Sequence, residues 1–474
     1  METIKTDLCI IGAGSGGLSV AAGASQMGAD CVLIEHGAMG GDCLNYGCVP
    51  SKSLLKAAKI ADTIRHAGMF GINGHEPAID FAAVYRHVQG VIAAIAPHDS
   101  QERFEGLGVR VLRSRARFAD ARTIVTDDQR IEARRIVLAA GSRPAIPPIP
   151  GLDQINYLTN ETLFQRTEPP GHLIVLGGGP IGSEMAQAHR RLGARVSLID
   201  LGPILPRDDT ELVEIIRKKL IADGVALFER AKVKAVRAQG NGIAVDIEHD
   251  GAAHTVEGSD LLVATGRTAN VDDLELDKGE VEYSDKGIHV DAGLRSISNR
   301  HVFAVGDIAG GPQFTHVAGD HAGIVIKRAL FRLPAKASYS ALPHVTFTDP
   351  ELAQVGMSEQ AARDAGIAPQ VLRWSFKDND RAQAERRTEG LIKVVCRGNG
   401  RILGAGIAGL GAGELIHSWT LAMHTKQKIG AMATMIAPYP TLGEVSKRAA
   451  GSWYTPKLFS PRTRAIVRFL ARFG

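Results

Sequence analysis

The densest chemistry in this sequence lies in Gly40-Gly41-Asp42-Cys43-Leu44-Asn45-Tyr46-Gly47-Cys48-Val49-Pro50-Ser51-Lys52. Cys43 and Cys48 have four residues between them and lead into a helix predicted over residues 51–65, which puts both sulfurs on one turn. A helix N-terminus and the ammonium group of Lys52 lower the pKa of a nearby thiol. A structural disulfide does not suit a reducing compartment. A zinc site would need a second ligand pair that this segment lacks, so no metal-ligand set is read. A redox pair is the chemistry these residue types support. Cys9, Cys31 and Cys396 stand in strand-like runs and read as inert buried thiols.

A redox pair needs an electron supply, and the elements around it provide one. Asp7-Leu8-Cys9-Ile10-Ile11 reads as a buried strand, followed by Gly12, Gly14 and Gly17, a small-residue helical stretch to Met27, and a second strand, residues 31–34, that ends in Glu35. Gly12 allows the tight turn, Gly14 lets backbone approach a pyrophosphate, and Gly17 lets the helix pack close to the strand. The helix N-terminus faces the phosphates and Glu35 takes the ribose hydroxyls. The pattern recurs in the strand of residues 173–176, then Gly177, Gly179 and Gly182, then the strand of residues 196–199 ending in Asp200. The third glycine precedes the acid by 18 residues in both copies. Two nucleotide sites in one chain imply electron transfer between two cofactors, one of them a flavin. Asp200 favours a free 2′-hydroxyl over a 2′-phosphate, hence NADH over NADPH, with Arg190, Arg191 and Arg195 nearby in sequence as the opposing influence.

Three more strand ends belong to this layout. Residues 135–138 close in Ala139-Ala140-Gly141-Ser142, residues 261–263 close in Ala264-Thr265-Gly266-Arg267, and residues 301–305 close in Gly306-Asp307. Ligands of open parallel sheets sit beyond such carboxyl ends, so Gly141, Gly266 and Asp307 join the cofactor-binding set, Asp307 as an acceptor for a polyol chain. The Pro-rich residues 144–151 mark a boundary between the halves.

The 474 residues, 45% hydrophobic and 22% charged, suit about three globular domains. Five Cys cannot staple a chain of this size, and no apolar run reaches the roughly 18 residues that span a bilayer. Residues 1–7 carry acids and run straight into a strand, unlike a secretory signal, so an intracellular protein is expected. The net charge of +4 is unevenly placed. Residues 445–474 hold seven basic groups and no acid, which leaves everything before them at −3. Ser460-Pro461 reads as a helix start, after which Arg464, Arg468 and Arg472 form one stripe and Ile466, Val467, Phe469, Leu470 and Phe473 cover the opposite side. Two uses fit this helix: docking on its own dimer, or resting on anionic lipid. Nucleic acid is not expected, because no basic patch extends into the body.

The chain resembles the flavin-dependent pyridine nucleotide-disulfide oxidoreductases, the family of dihydrolipoamide dehydrogenase, glutathione reductase and mercuric reductase. Cys43-Leu44-Asn45-Tyr46-Gly47-Cys48-Val49-Pro50-Ser51-Lys52 is the signature, and the likeness covers nearly the whole chain. The resemblance implies an α/β fold: two Rossmann-like dinucleotide-binding domains plus a C-terminal α+β dimerisation domain. The FAD-binding domain would be discontinuous, residues 1–150 and 271–340, with an NAD(P)-binding domain at 151–270. The dimerisation domain would span 341–474, its basic amphipathic helix at about 460–473. It implies a homodimer whose active site is completed by the partner chain. FAD would sit in the first fingerprint with Asp307 at its ribityl region, and the nicotinamide cofactor in the second. Cys48 would be the charge-transfer thiol, Cys43 the interchange thiol, and Lys52 would pair with Glu184 near the flavin. Ala140 replaces the Thr common in the family's first A-T-G-S element.

One departure bears on the acceptor. Disulfide reductases of the family end in H-x-H-P-T-x-x-E, whose second His is the acid/base, whereas this chain reads Ala437-Pro438-Tyr439-Pro440-Thr441-Leu442-Gly443-Glu444. At a pKa near 10, Tyr is ionised only to about one part in a thousand at neutral pH. General acid–base catalysis contributes roughly 100- to 10,000-fold, so dithiol turnover should suffer unless Tyr439 has a depressed pKa or another His substitutes. His417 and His424 lie seven apart on an expected helix, and His316 follows Asp307 by nine. A Tyr here resembles the mercuric reductase branch, but no Cys follows Cys396 to deliver metal, and no N-terminal metal-binding domain is expected. The expected activity is electron flow from NADH through FAD and the Cys43–Cys48 pair to a thiol/disulfide, soft-metal or quinone acceptor. The alternatives are dihydrolipoamide dehydrogenase and a membrane-docked electron-transfer module serving a partner. The expected location is the cytoplasm; peripheral contact at the inner face of the membrane through residues 460–474 is the second of the two uses of the helix, after docking on the dimer.

Overall fold

The computed structural model describes residues 2–473; Met1 and Gly474, the end residues of the expected domain spans and tail, lie outside the described residues. The first strand, Glu2–Ile11, runs further back than the apolar residues 7–11, because its exposed first half still pairs in parallel with Gln129–Leu138. From one edge inward the sheet runs Arg110–Leu112, Cys31–Ile34, Glu2–Ile11, Gln129–Leu138, all parallel. Thr123–Val125 and Arg117–Asp120 extend it antiparallel. Val302–Ala304 pairs in parallel with the far end of Gln129–Leu138, so a strand from late in the chain lies in the sheet of its first 138 residues. The apolar run of residues 8–11 is buried on both faces, as a parallel sheet covered on both sides requires.

The second unit repeats the arrangement with four parallel strands ordered Val225–Phe228, Arg195–Ile199, His172–Leu176, Asp260–Val263. An antiparallel meander, Lys232–Gln239, Gly242–His249 and Ala252–Gly258, covers one side. Ser142–Pro144 pairs antiparallel with Arg267–Ala269, which joins the segments after the two small-residue strand ends.

The third region is antiparallel: Pro343–Thr346, Glu351–Gly356, Ile402–Gly409, Leu391–Cys396, Gln370–Ser375. Helices Ala412–His424 and Glu444–Gly451 pack on it, and fully buried Trp419 donates its indole N–H to Ser446 Oγ at 3.0 Å. One apolar cluster joins Leu54, Ala58 and Ala61 of helix Cys48–Arg65 to Met185 of helix Pro180–Arg191 and to Leu352 and Ala408 of the third sheet. The helix that carries Cys48 is therefore held by all three regions. Among the described residues no helix is long and apolar enough to cross a membrane.

Candidate redox and nucleotide sites

The two cysteines do not share a helical turn. Cys43 lies in the short helix Gly41–Asn45, and Cys48 is the first residue of Cys48–Arg65, three residues earlier than expected. Pro50 sits in the first turn, where its missing N–H removes no helical bond, so the helix begins ahead of it. That places the Cys48 sulfur at the positive helix terminus. Both thiols are free, with Cys48 Sγ 3.5 Å from Thr315 Oγ1. The hydrogen bond with Cys43 holds Cys48 down to about 6 against the opposing effect of burial, and Thr315 and the Lys52 charge act in the same downward direction. The same hydrogen bond, together with burial, pushes the Cys43 thiol up. The pair is polarised into a thiolate at Cys48 and a thiol at Cys43. The other three thiols are buried and pushed up by burial, Cys31 and Cys396 to about 12.

One turn beyond Cys48, Lys52 Nζ lies 2.8 Å from Glu184 Oε2 and 4.5 Å from the centre of the Phe347 ring. Glu184 is only 3% exposed, and its other oxygen accepts from the Phe347 backbone N–H at 2.8 Å. Further along the same helix face, Gln187 exchanges hydrogen bonds with the Asp349 backbone at 2.7 and 2.9 Å. Arg191, 4% exposed, reaches Asp223 at 2.8 Å, Asp349 at 2.9 Å and Asp62 at 3.4 Å. Burial would raise the Asp349 carboxyl, but Arg387, Arg191 and Lys59 hold it well below the usual carboxylate range. Glu184, Gln187 and Arg191 are spaced i, i+3, i+7, so one helix face clamps residues 347–349 and the cysteine-bearing helix together. Sequence reading gives Gln187, Phe347 and Asp349 no role and sets Arg191 only against Asp200; polar Glu184, Gln187 and Arg191 at i, i+3, i+7 on one buried helix face are the signal that marks that face.

Both fingerprints form the expected cradles. Gly12 and Gly177 have φ of +106° and +108°, and a Cβ at Gly17 or Gly182 would lie 1.9 or 1.8 Å from the carbonyl oxygen of Gly12 or Gly177. A Cβ at Gly179 would touch nothing within 4 Å, and one at Gly14 only the Gly41 Cα at 3.9 Å, the open approach a pyrophosphate needs. Glu35 accepts from the N–H groups of Ala13 (2.7 Å) and Gly37 (2.6 Å), and Asp200 accepts from Gly178 (2.5 Å) and Gly202 (2.6 Å). Each carboxylate is thus fixed beside its glycine turn with lone pairs left for ribose hydroxyls, and the residues present fit two dinucleotides. The arginines near Asp200 in sequence are not near it in space. Arg191 is committed to the buried acids, Arg190 donates to the Ala194 carbonyl, and Arg195 opens the strand that Asp200 follows.

Asp307 accepts from Ser142 Oγ at 2.5 Å, and burial raises its carboxyl against that bond and the Arg267 charge 3.8 Å away. Gly141 accepts from the Asn270 N–H at 3.0 Å and Gly266 from the Ala145 N–H at 2.9 Å, so both hold the link between the nucleotide units. Arg267 also reaches Asp42 at 3.1 Å, and Asp42 accepts from Asn160 at 2.9 Å. Ser142, Arg267, Asp42, Asn160 and Thr315 are therefore site residues that the motifs alone did not assign.

Tyr439 and Glu444 stand apart. Among the described residues no hydrogen bond or ion pair joins either one to the cysteine pair. Tyr439 is 70% exposed and donates to Asp380 Oδ2 at 2.8 Å. That bond and the Asp380 charge push its pKa up, the reverse of what a tyrosine base requires. Glu444 opens helix Glu444–Gly451. His417 and His424 are exposed on helix Ala412–His424. Burial lowers the His316 pKa; its Nε2 lies 3.0 Å from the Pro343 carbonyl and its ring stacks on Phe314.

The family description Pyridine nucleotide-disulphide oxidoreductase matches residues 6–322, and its dimerisation domain matches residues 342–450. A mercuric reductase of Streptomyces lividans is 35% identical, covering 94% of this chain and 95% of its own. A dihydrolipoyl dehydrogenase of Geobacillus stearothermophilus is 34% identical, covering 94% and 96%. Among solved structures, LpdA of Mycobacterium tuberculosis has a TM-score of 0.86 at 25% identity, covering 94% of this chain and 99% of its own. The HOCl-induced flavoprotein disulfide reductase RclA of Escherichia coli has a TM-score of 0.84 at 25% identity over the same shares.

Proposed function

Because the chain belongs to the pyridine nucleotide-disulphide oxidoreductase family, we propose that it carries electrons from NADH to the Cys43–Cys48 pair and on to an acceptor that needs little proton transfer. A soft metal ion, or a quinone that takes its protons from solvent, is such an acceptor, whereas a low-molecular-weight disulfide shares lipoamide's need for an acid. The protein is an oxidoreductase that binds FAD and NAD(P) and carries a dimerisation domain of the homodimeric kind. We assign FAD to Gly12, Gly14, Gly17, Glu35, Gly141 and Asp307 in residues 1–150 and 271–340. NAD is assigned to Gly177, Gly179, Gly182, Asp200 and Gly266 in residues 151–270, with residues 341–474 for dimerisation. Bound FAD supplies the two-electron relay between the nicotinamide and the disulfide.

The chain's own groups do the rest. Opening the Cys43–Cys48 disulfide takes two electrons and, with Cys48 left as thiolate and Cys43 as thiol, one proton. Lys52, fixed by Glu184 at 2.8 Å, stabilises the negative charge that collects at Cys48. Cys43, on the separate short helix, is the sulfur that meets the acceptor. Closing the disulfide returns two electrons to the acceptor and releases the one proton. The observation that carries the choice of acceptor is Tyr439: it donates to Asp380, and that bond pushes its pKa up, so it holds its proton and does not take one from a dithiol. Dihydrolipoamide oxidation is the alternative, and lipoamide is the matching control.

Stopped-flow oxidation of the reduced holoenzyme by Hg(II), a quinone, glutathione disulfide and lipoamide tests this reading. Lipoamide should lag the best acceptor by about 100-fold or more, the scale of a missing acid–base group. Lipoamide at the speed of the best acceptor would overturn it. We further propose that the enzyme works in the cytoplasm, peripherally at the inner face of the membrane, through residues 460–474.

A further inference from the structure

The C-terminal helix Pro461–Leu470 buries none of its residues. It is nonetheless well formed: Ser460 caps it, accepting from the Thr463 N–H at 3.2 Å, and Pro461 opens it. Its apolar side chains are bare, with Ile466, Phe469 and Leu470 each 57–58% exposed and Phe473 75% exposed. Phe469 and Phe473 pack edge to face at 5.2 Å, which keeps that face continuous. Leu458 and Phe459, just ahead of the helix, are 56% and 65% exposed. Arg464, Arg468 and Arg472 line the opposite side, Lys457 and Arg462 flank the start, and residues 445–473 contain no acid. The match to the family's dimerisation domain ends at residue 450, ahead of the helix.

We propose that this helix is an interfacial anchor for anionic lipid, lying flat with its apolar face at the boundary between headgroups and acyl chains. The proposal rests on the peripheral placement above and adds the lipid chemistry and the residues that read it. Within one protomer this contiguous apolar stripe is bare, and soluble proteins rarely leave such a stripe without a use for it. A second copy of the tail would set cations against cations, and nucleic acid would leave the phenylalanines in water. An anionic bilayer surface satisfies both faces at once, phosphates for the arginines and acyl chains for Ile466, Phe469, Leu470 and Phe473. At ten residues the helix is about half the length that crosses a membrane, so it rests on the surface.

Flotation of the FAD-loaded enzyme decides the matter, using vesicles of phosphatidylglycerol with phosphatidylcholine against vesicles of phosphatidylcholine alone. The full chain should float with the anionic vesicles, and a chain ending at Phe459 should not, while both keep NADH-driven flavin reduction. Phe469→Ser with Phe473→Ser should release it. Each of Arg464→Gln, Arg468→Gln and Arg472→Gln should weaken binding by about fivefold, the share of one cation near an anionic surface. Equal flotation with both vesicle types overturns the anionic-lipid assignment but leaves peripheral placement standing. No flotation with either overturns both, and so does a truncated chain that turns monomeric, because the helix is then a dimer contact.

Discussion

Cys48 and Cys43 are the same residue type five positions apart, yet their surroundings drive them in opposite directions. Cys48 sits at a helix N-terminus beside Lys52 and Thr315 and takes the hydrogen bond of its partner; Cys43 gives that bond and is pushed up. Because the Cys48 shift is downward, its thiolate persists from neutral pH down to about 6 and is lost below that value. Ultraviolet titration of the reduced enzyme should show one thiolate with that midpoint. In Cys43→Ala the hydrogen-bond donor that polarises Cys48 is gone, so the midpoint should rise toward the ordinary thiol value of about 8.5. The same variant should keep NADH-driven flavin reduction and lose turnover with the acceptor. Survival of that turnover would take the disulfide off the path.

At the scale of elements, the repeated strand–turn–helix units bear on the proposed preference for NADH. Ligands gather at the carboxyl end of the strand, where Asp200 stands, whereas Arg195 opens that strand five positions earlier, about 16 Å back along extended chain. Arg190 and Arg191 end helix Pro180–Arg191, whose other end faces the phosphates. No cation among these three is placed to receive a 2′-phosphate. Steady-state kcat/KM should therefore favour NADH over NADPH by roughly 10- to 100-fold, the scale of a charged hydrogen bond. Asp200→Ala should erase most of that ratio with little change in thermal stability. A chain that prefers NADPH would contradict the role given to Asp200.

At the scale of the whole molecule, three regions meet on one face of helix Pro180–Arg191. Glu184 holds Lys52 and the Phe347 backbone, and Arg191 gathers Asp62, Asp223 and Asp349 from three separate parts of the chain. Removing a buried charge that three acids depend on costs about 3–5 kcal/mol. Arg191→Met should lower the unfolding midpoint by that equivalent, far more than a surface exchange such as Arg86→Met. The Asp349 carboxyl is held below its usual value, so the stability it contributes is present above about pH 4, the unfolded carboxyl range, and is lost as pH falls further. In Asp349→Asn that acid-side loss should flatten, as read by thermal melts across an acid series.

By itself the sequence determined the two strand–glycine–helix units with their strand-end acids, two sulfurs ahead of a helix, the Lys52–Glu184 pairing implied by family resemblance, and the start of the C-terminal helix. These rest on local spacing: glycines where a Cβ would strike a carbonyl, an acid at a strand end, two sulfurs ahead of a helix, a Ser-Pro cap. Tertiary structure alone decided what local spacing cannot carry. It split the cysteines between two helices, sent Arg191 into a buried cluster and away from the nucleotide, and bound Tyr439 to Asp380. It also brought Thr315, Arg267, Phe347 and Asp349 to the site from distant strands and loops. Each of those outcomes depends on a partner far away in sequence, and the charge or proton affinity of a side chain is set by whatever the fold places against it. The bare apolar face of Pro461–Leu470 belongs to the same class: its pattern was legible, but only the fold shows that, among the described residues, nothing in the protomer covers it.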